Sequence, residues 1–128
     1  MKPLDLIRGI LTSCAHAARG IGFAARSQRN FRIHLLAAGA VLAGALALGL
    51  SRVELVLLIL TAGLVILGEL INTGLEFLLN LLEARNHPTV RMVKDIAAGA
   101  VLTAVIGSVA VAFLLFGPKL LEVFRRWW

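Results

Sequence analysis

The 128-residue chain contains one cysteine, three prolines and no tyrosine, and aromatic residues make up 6% of it. A lone Cys14 excludes an intrachain disulfide and a thiolate metal site within one chain, leaving a small packing residue. There is no GxxxxGK[ST] phosphate loop, and Gly20-Ile21-Gly22 is too slight to replace one. Internal repeats and low-complexity linkers are missing too, so residues 1–128 are expected to form a single domain. Acidic residues are few: seven Asp and Glu stand against thirteen Lys and Arg, a formal net charge of +6. That excess comes without an aromatic or glycine-rich reading surface, which argues against nucleic acid. The basic residues flank apolar runs, so phospholipid headgroups are their expected counterions.

What the chain has in abundance is apolar surface: 59% of residues are hydrophobic and the mean hydropathy is +0.91. This composition belongs to a membrane protein. Three stretches, 33–50, 55–76 and 96–116, are long enough to cross about 30 Å of hydrocarbon at a helical rise of about 1.5 Å per residue. Ahead of them, residues 3–26 place Leu4, Ile7, Leu11, Cys14, Ala18, Ile21 and Ala25 at alternating steps of three and four, with Asp5, Arg8, His16 and Arg19 on other faces. That pattern predicts an amphipathic helix lying in the membrane interface. The expected architecture is all-α and membrane-integral: one interfacial helix, three transmembrane helices, and a basic tail at 117–128 ending in Trp127 and Trp128.

Six Lys or Arg precede the first span, one lies between spans one and two, three between spans two and three, and three in the tail. The positive-inside rule therefore predicts a multi-pass protein with its amino terminus in the cytoplasm, in a bacterial inner membrane. The first apolar stretch begins too late for a cleavable signal sequence, and no processing is expected.

Within the second span, Glu69, Asn72 and Glu76 follow the helical spacing i, i+3, i+7, and Asn80 and Glu83 continue the row at steps of four and three. A carboxylate near a bilayer centre costs about 2.5–3.5 kcal/mol on insertion scales, so such a stripe calls for a partner, a metal or a reaction. In the predicted topology Glu69 lies near the inner acyl boundary. Glu76 is two turns closer to the cytosol, and His87, Arg91, Lys94 and Asp95 follow. A base at the lipid boundary, oxygen ligands for a hard cation at the water boundary, and cations beyond them match phosphoryl transfer from a nucleotide such as ATP, with Mg²⁺ bridging the phosphates.

These residues also carry a resemblance. GELINTGLEFLLN at 68–80 and VKDIAAGAVL at 93–102 resemble signature segments of the prokaryotic diacylglycerol kinase and undecaprenol kinase family, small trimeric membrane enzymes. RNFRIHLLAA at 29–38 and FLLFGPKL at 113–120 look more like the undecaprenol kinase branch. The resemblance implies a homotrimer with sites shared between neighbouring subunits. It implies Glu69 as the catalytic base for a lipid hydroxyl, Asn72 as an organiser of the site, and Glu76 and Gln28 as Mg²⁺ ligands. Lys94 and Asp95 correspond to the nucleotide-binding pair, His87 to a nucleotide-contacting segment, and His16 lies near the nucleotide-facing helix. The implied substrates are ATP and a membrane lipid alcohol, undecaprenol in preference to diacylglycerol.

The chain departs from the family pattern at Gln28, where a glutamate is usual, at Asn80, where an aspartate is common, and at Arg85, where the usual residue is acidic or neutral. An amide oxygen can ligate Mg²⁺ but adds no charge. Other readings of the same residues stay open: carboxylates ion-paired to Arg or Lys merely to fix helix packing, Asn72 as interhelical glue, His34 as an interface residue, a catalytically impaired relative serving as a membrane scaffold or lipid-binding protein, and a small channel using the stripe as an ion path.

Overall fold

The computed structural model describes residues 3–81 and 87–127; Glu83, Arg85 and Trp128 lie outside the described residues. Four helices follow in order: α1 (Pro3–Ser27), α2 (Arg29–Ala47), α3 (Arg52–Leu81) and α4 (Pro88–Trp127). The chain is all-α, and α2, α3 and α4 are long and apolar enough to cross a membrane. Helices answer the demand of a bilayer core, where no water is available and each backbone N–H and C=O must find its partner within the segment.

α3 is the centre of the arrangement, packing most extensively on α4, then on α2. Its buried residues Leu58, Val65, Glu69, Asn72 and Thr73 share one face. The opposite side leaves Val56, Ile59, Leu60, Leu64, Leu67 and Ile71 exposed, as expected for helices whose solvent is lipid or another copy. At one end, Ala45, Leu50 and Leu58 form a buried cluster capped by Val41, Leu55, Val111 and Phe116. Small residues let the helices approach: a Cβ added at Gly44 would meet the Phe116 ring at 3.4 Å.

The α2–α3 junction is specified residue by residue. Gly49, at φ 66°, ends α2: Gly49 N–H donates to Leu46 O at 3.1 Å and Leu50 N–H to Ala45 O at 3.0 Å, a Schellman closure whose hydrophobic contact is Leu50 on Ala45. Ser51 then starts α3 with a capping box. Its N–H donates to Glu54 Oε2 at 2.6 Å, and Glu54 N–H donates back to Ser51 Oγ at 3.4 Å. Between the two devices no residue is spare, so α2 and α3 are antiparallel neighbours.

α1 touches the rest near its carboxyl end, where Ala24 is buried and the Phe23 and Phe77 rings stand 5.2 Å apart. Its apolar residues Leu4, Ile7, Ile10 and Leu11 are exposed, an arrangement compatible with an interfacial helix. At the other end of the chain, residues 117–127, distinguished by composition as a tail, continue α4 through Pro118. Hydropathy marks where side chains change character, whereas the backbone stays helical as long as its hydrogen bonds close; Pro118 removes a single donor.

Because a residue with a Cβ pays about 1–2 kcal/mol in the left-handed region, Gly49→Ala is expected to lower stability by that order. Ser51→Ala is expected to lower it by about 1 kcal/mol through loss of the cap. The unfolding midpoint in mixed detergent micelles measures both, and an unchanged midpoint for either would show that the junction is not specified this way.

Candidate functional site

Along one face of α3 the side chains pass from buried to exposed. Leu58 and Val65 are apolar and buried, Glu69 is 3% exposed and Asn72 8%, Glu76 is half-buried, and Asn80 is open to solvent. Glu69 and Asn80 are eleven residues apart, about 16 Å at helical rise. At 30 residues, α3 measures about 45 Å, longer than the roughly 30 Å of hydrocarbon, so it has the length to carry the exposed end bearing Glu76 and Asn80 beyond an apolar layer.

Glu69 is enclosed by packing rather than by countercharge. Beside it, Gly68 faces Val101 of α4 so closely that a Cβ there would lie 3.7 Å from Val101 Cγ2 and 3.8 Å from its Cα. Among the described residues the sole ion pair is Lys119 with Glu122 at 3.8 Å, far along α4, so no arginine or lysine neutralises Glu69 to fix packing. One turn on, the Asn72 amide oxygen is fully buried with no hydrogen-bond donor among the described residues. A buried amide oxygen without a partner costs about 1–3 kcal/mol, an expense seldom met outside functional sites.

On its bilayer side the same face opens into a mainly apolar cavity of about 120 Å³ lined by His34, Ala38, Ala62, Val65 and Ser108 among others. Ala62 and Val65 lie seven and four residues before Glu69, so the cavity shares the helix face of the carboxylate and ends one turn short of it, since Glu69 itself does not line it. His34, which the sequence suggested as an interface residue, is half-buried and belongs to this cavity. Its signal was weak: one histidine in a polar-to-apolar transition. Thr73, buried beside Asn72, carried no signal beyond a hydroxyl in an apolar run.

At the water end, Lys94 Nζ donates to Asn80 Oδ1 at 2.9 Å, joining α4 to α3. Lys94 shares its face with Val101, seven residues on; Asp95 instead lies with Pro88, Arg91 and Met92 around a shallow exposed depression. His87 precedes α4 as its cap. Its Nδ1 accepts from Thr89 N–H at 3.3 Å and its carbonyl from Val90 N–H at 3.0 Å, with Pro88 at the first helical position. That capping role occupies Nδ1, and the residue is exposed. Gln28, half-buried and extended at φ −108°, ψ 118°, forms the α1–α2 joint, five residues after Phe23, whose ring meets Phe77 of α3. His16 lies two turns before that contact, exposed, accepting from Arg19 Nη2 at 3.0 Å; the structure does not bring it to the α3 stripe.

No three His, Cys, Asp or Glu side chains cluster as a metal site among the described residues. A carboxylate such as Glu76 with an amide oxygen such as Gln28 nevertheless suits Mg²⁺, which is commonly held by one or two carboxylates while waters and substrate phosphates complete its shell.

Residues 15–116 match the prokaryotic diacylglycerol kinase family. An undecaprenol kinase of Bacillus subtilis (strain 168) is 40% identical over 108 residues, covering 84% of this chain and 88% of that protein. A diacylglycerol kinase of Synechocystis sp. (strain ATCC 27184 / PCC 6803 / Kazusa) is 40% identical over 115 residues, covering 89% of this chain and 66% of that protein.

If the Asn72 oxygen is retained at the expense of stability, Asn72→Leu is expected to unfold no earlier than the unaltered chain, and up to about 1 kcal/mol later. A clear loss of stability on detergent unfolding would show instead that the amide is engaged in the resting protein.

Proposed function

The chain belongs to the prokaryotic diacylglycerol kinase family, and from that premise we propose that it transfers the γ-phosphoryl group of ATP to the hydroxyl of a membrane lipid alcohol. The observation that carries this reading is Glu69, a carboxylate 3% exposed in an apolar bundle with no ion pair among the described residues, set between an apolar cavity and a water-facing polar end. A lipid alcohol entering from the bilayer would place its tail along Val65 and Ala62 and its hydroxyl at Glu69.

In the transfer, Glu69 accepts the hydroxyl proton as the alcohol oxygen bonds to the γ-phosphorus and the bond to the bridging oxygen breaks, releasing ADP. Asn72, one turn away, orients the hydroxyl or the carboxylate through its otherwise unpartnered amide. Lys94 meets the phosphates, and Asp95 and the exposed His87 face the nucleotide side; His16, on exposed α1, would join them only as an outlying contact. Glu76 and Gln28 would hold Mg²⁺, which would supply positive charge to offset that of the phosphates. Bringing a lipid hydroxyl and a triphosphate together across the interface is the main catalytic contribution, because it removes the entropy of joining molecules from two phases.

Undecaprenol is the preferred acceptor over diacylglycerol in this reading. It rests on the Bacillus relative, 88% of whose length aligns with this chain, and on the branch character of residues 29–38 and 113–120. The exposed apolar faces of α3 and α4 support a homotrimer. The charge bias supports a bacterial inner membrane with the amino terminus and the α3–α4 connection in the cytoplasm.

A second reading, a catalytically impaired relative acting as a membrane scaffold or lipid-binding protein, is favoured by one observation, the uncharged Gln28 at the joint. Incubating purified protein in micelles with γ-labelled ATP and a lipid extract, then identifying the labelled lipid, separates the two. Label in undecaprenyl phosphate is expected, and no labelled lipid would overturn the kinase reading. Glu69→Gln is expected to lower turnover by about 100-fold or more with the unfolding midpoint preserved; normal turnover in that variant would remove Glu69 from the base role. Gln28→Glu is expected to tighten Mg²⁺ dependence and raise turnover, whereas inactivity in both forms would favour the scaffold.

A further inference from the structure

The row of polar residues on α3 ends at Asn80, to which the proposed chemistry gives no task. It is nevertheless the one residue of α3 that hydrogen-bonds a side chain of α4, through Lys94 Nζ at 2.9 Å, among the described residues. The chemistry of the pair fixes its sense. An ammonium only donates, so the amide must turn its oxygen toward it, and two of the three ammonium hydrogens stay free.

We propose that Asn80 is a positioning residue for nucleotide phosphates: its amide oxygen anchors the Lys94 ammonium between the ends of α3 and α4, with the remaining donors directed at the anion. A free lysine side chain samples many rotamers, and freezing it at the moment of binding weakens affinity. Asn80 removes much of that freedom beforehand. Being neutral, it does so without cancelling the charge, and among the described residues Lys94 has no carboxylate within ion-pair distance. Asp95, adjacent in sequence, lies on the face shared with Arg91 and Met92 and does not compete for the ammonium. Asn80 is an acceptor that is polar, uncharged and carried on the neighbouring helix.

The proposal rests on the reading that Lys94 meets the phosphates, and its test is chosen to be separable from lipid turnover. The full chain in micelles is titrated with a non-hydrolysable MgATP analogue by calorimetry, and KM is measured separately for ATP and for the lipid alcohol. Asn80→Ala is expected to weaken analogue binding and raise KM for ATP about five- to tenfold, the size of a typical net hydrogen bond, while KM for the alcohol stays unchanged. Asn80→Asp, whose oxygen can accept the same bond but draws on the charge, is expected to fall between the alanine variant and the unaltered chain. In a Lys94→Ala background Asn80→Ala is expected to have no further effect.

Unchanged analogue binding in Asn80→Ala overturns the proposal, as does an equal loss in the Lys94→Ala background or a parallel rise in both KM values. Should the alanine variant fail to fold, Asn80→Asp decides: binding as weak as that of Lys94→Ala overturns the proposal. A chain that binds the analogue with this dependence on Asn80 yet labels no lipid would sink the kinase reading and leave the Asn80 assignment standing. A chain that binds no analogue would sink both.

Discussion

A carboxylate held inside an apolar helix bundle without a neutralising partner is the constraint from which the rest of this structure follows. Glu69 is 3% exposed, and no lysine or arginine pairs with it among the described residues. Its retention requires tight walls around it, and the close approach of α4 at Gly68 and Val101 supplies one of them. It also requires a helix long enough to carry the same face out of the hydrocarbon, so that the hydroxyl of an apolar molecule and the phosphates of a polar one can be served by one element. α3, which packs against both α4 and α2, does this.

The architecture divides along that helix. At the α2–α3 junction the Schellman closure at Gly49, the capping box of Ser51 and Glu54 and the cluster around Ala45 and Leu58 form a rigid end with no polar side chain in its core. At the opposite end the polar residues collect: Glu76 and Asn80 on α3, Lys94 on α4, and Gln28 at the α1–α2 joint. Rigidity at one end and polarity at the other is an arrangement in which stability and chemistry do not compete for the same residues. Asn72 is the exception, a buried amide oxygen with no partner among the described residues, and it lies one turn from Glu69.

Much of the fold was legible in the sequence because the signals are periodic and strong. The i, i+3, i+7 row on α3, the amphipathic spacing of residues 3–26 and the three apolar runs each report a helix face directly. Membership of the kinase family was legible in residues 68–80 and 93–102. Less legible were features that depend on what lies opposite. His34 read as an interface residue and is part of the cavity that ends one turn short of Glu69. His87 read as a nucleotide contact and is also the cap of α4. The residues after 116 read as a separate tail and continue α4 to Trp127, since polarity along a chain says where its solvent changes and not where its hydrogen bonds stop.

The sequence by itself determined that the protein lives in a bilayer, that its backbone must be helical there, and that a row of acids and amides occupies one side of the second span. Those properties depend only on composition and on the 3.6-residue period of the helix. Tertiary structure alone decided that this side faces inward, that α4 rather than α2 forms its main wall, and that Lys94 turns to Asn80 while Asp95 turns away. Such facts depend on how neighbouring helices rotate against each other, which is set by side-chain shape at Gly44, Gly68, Phe116 and Val101, and no period along a single strand of sequence encodes which residues will meet.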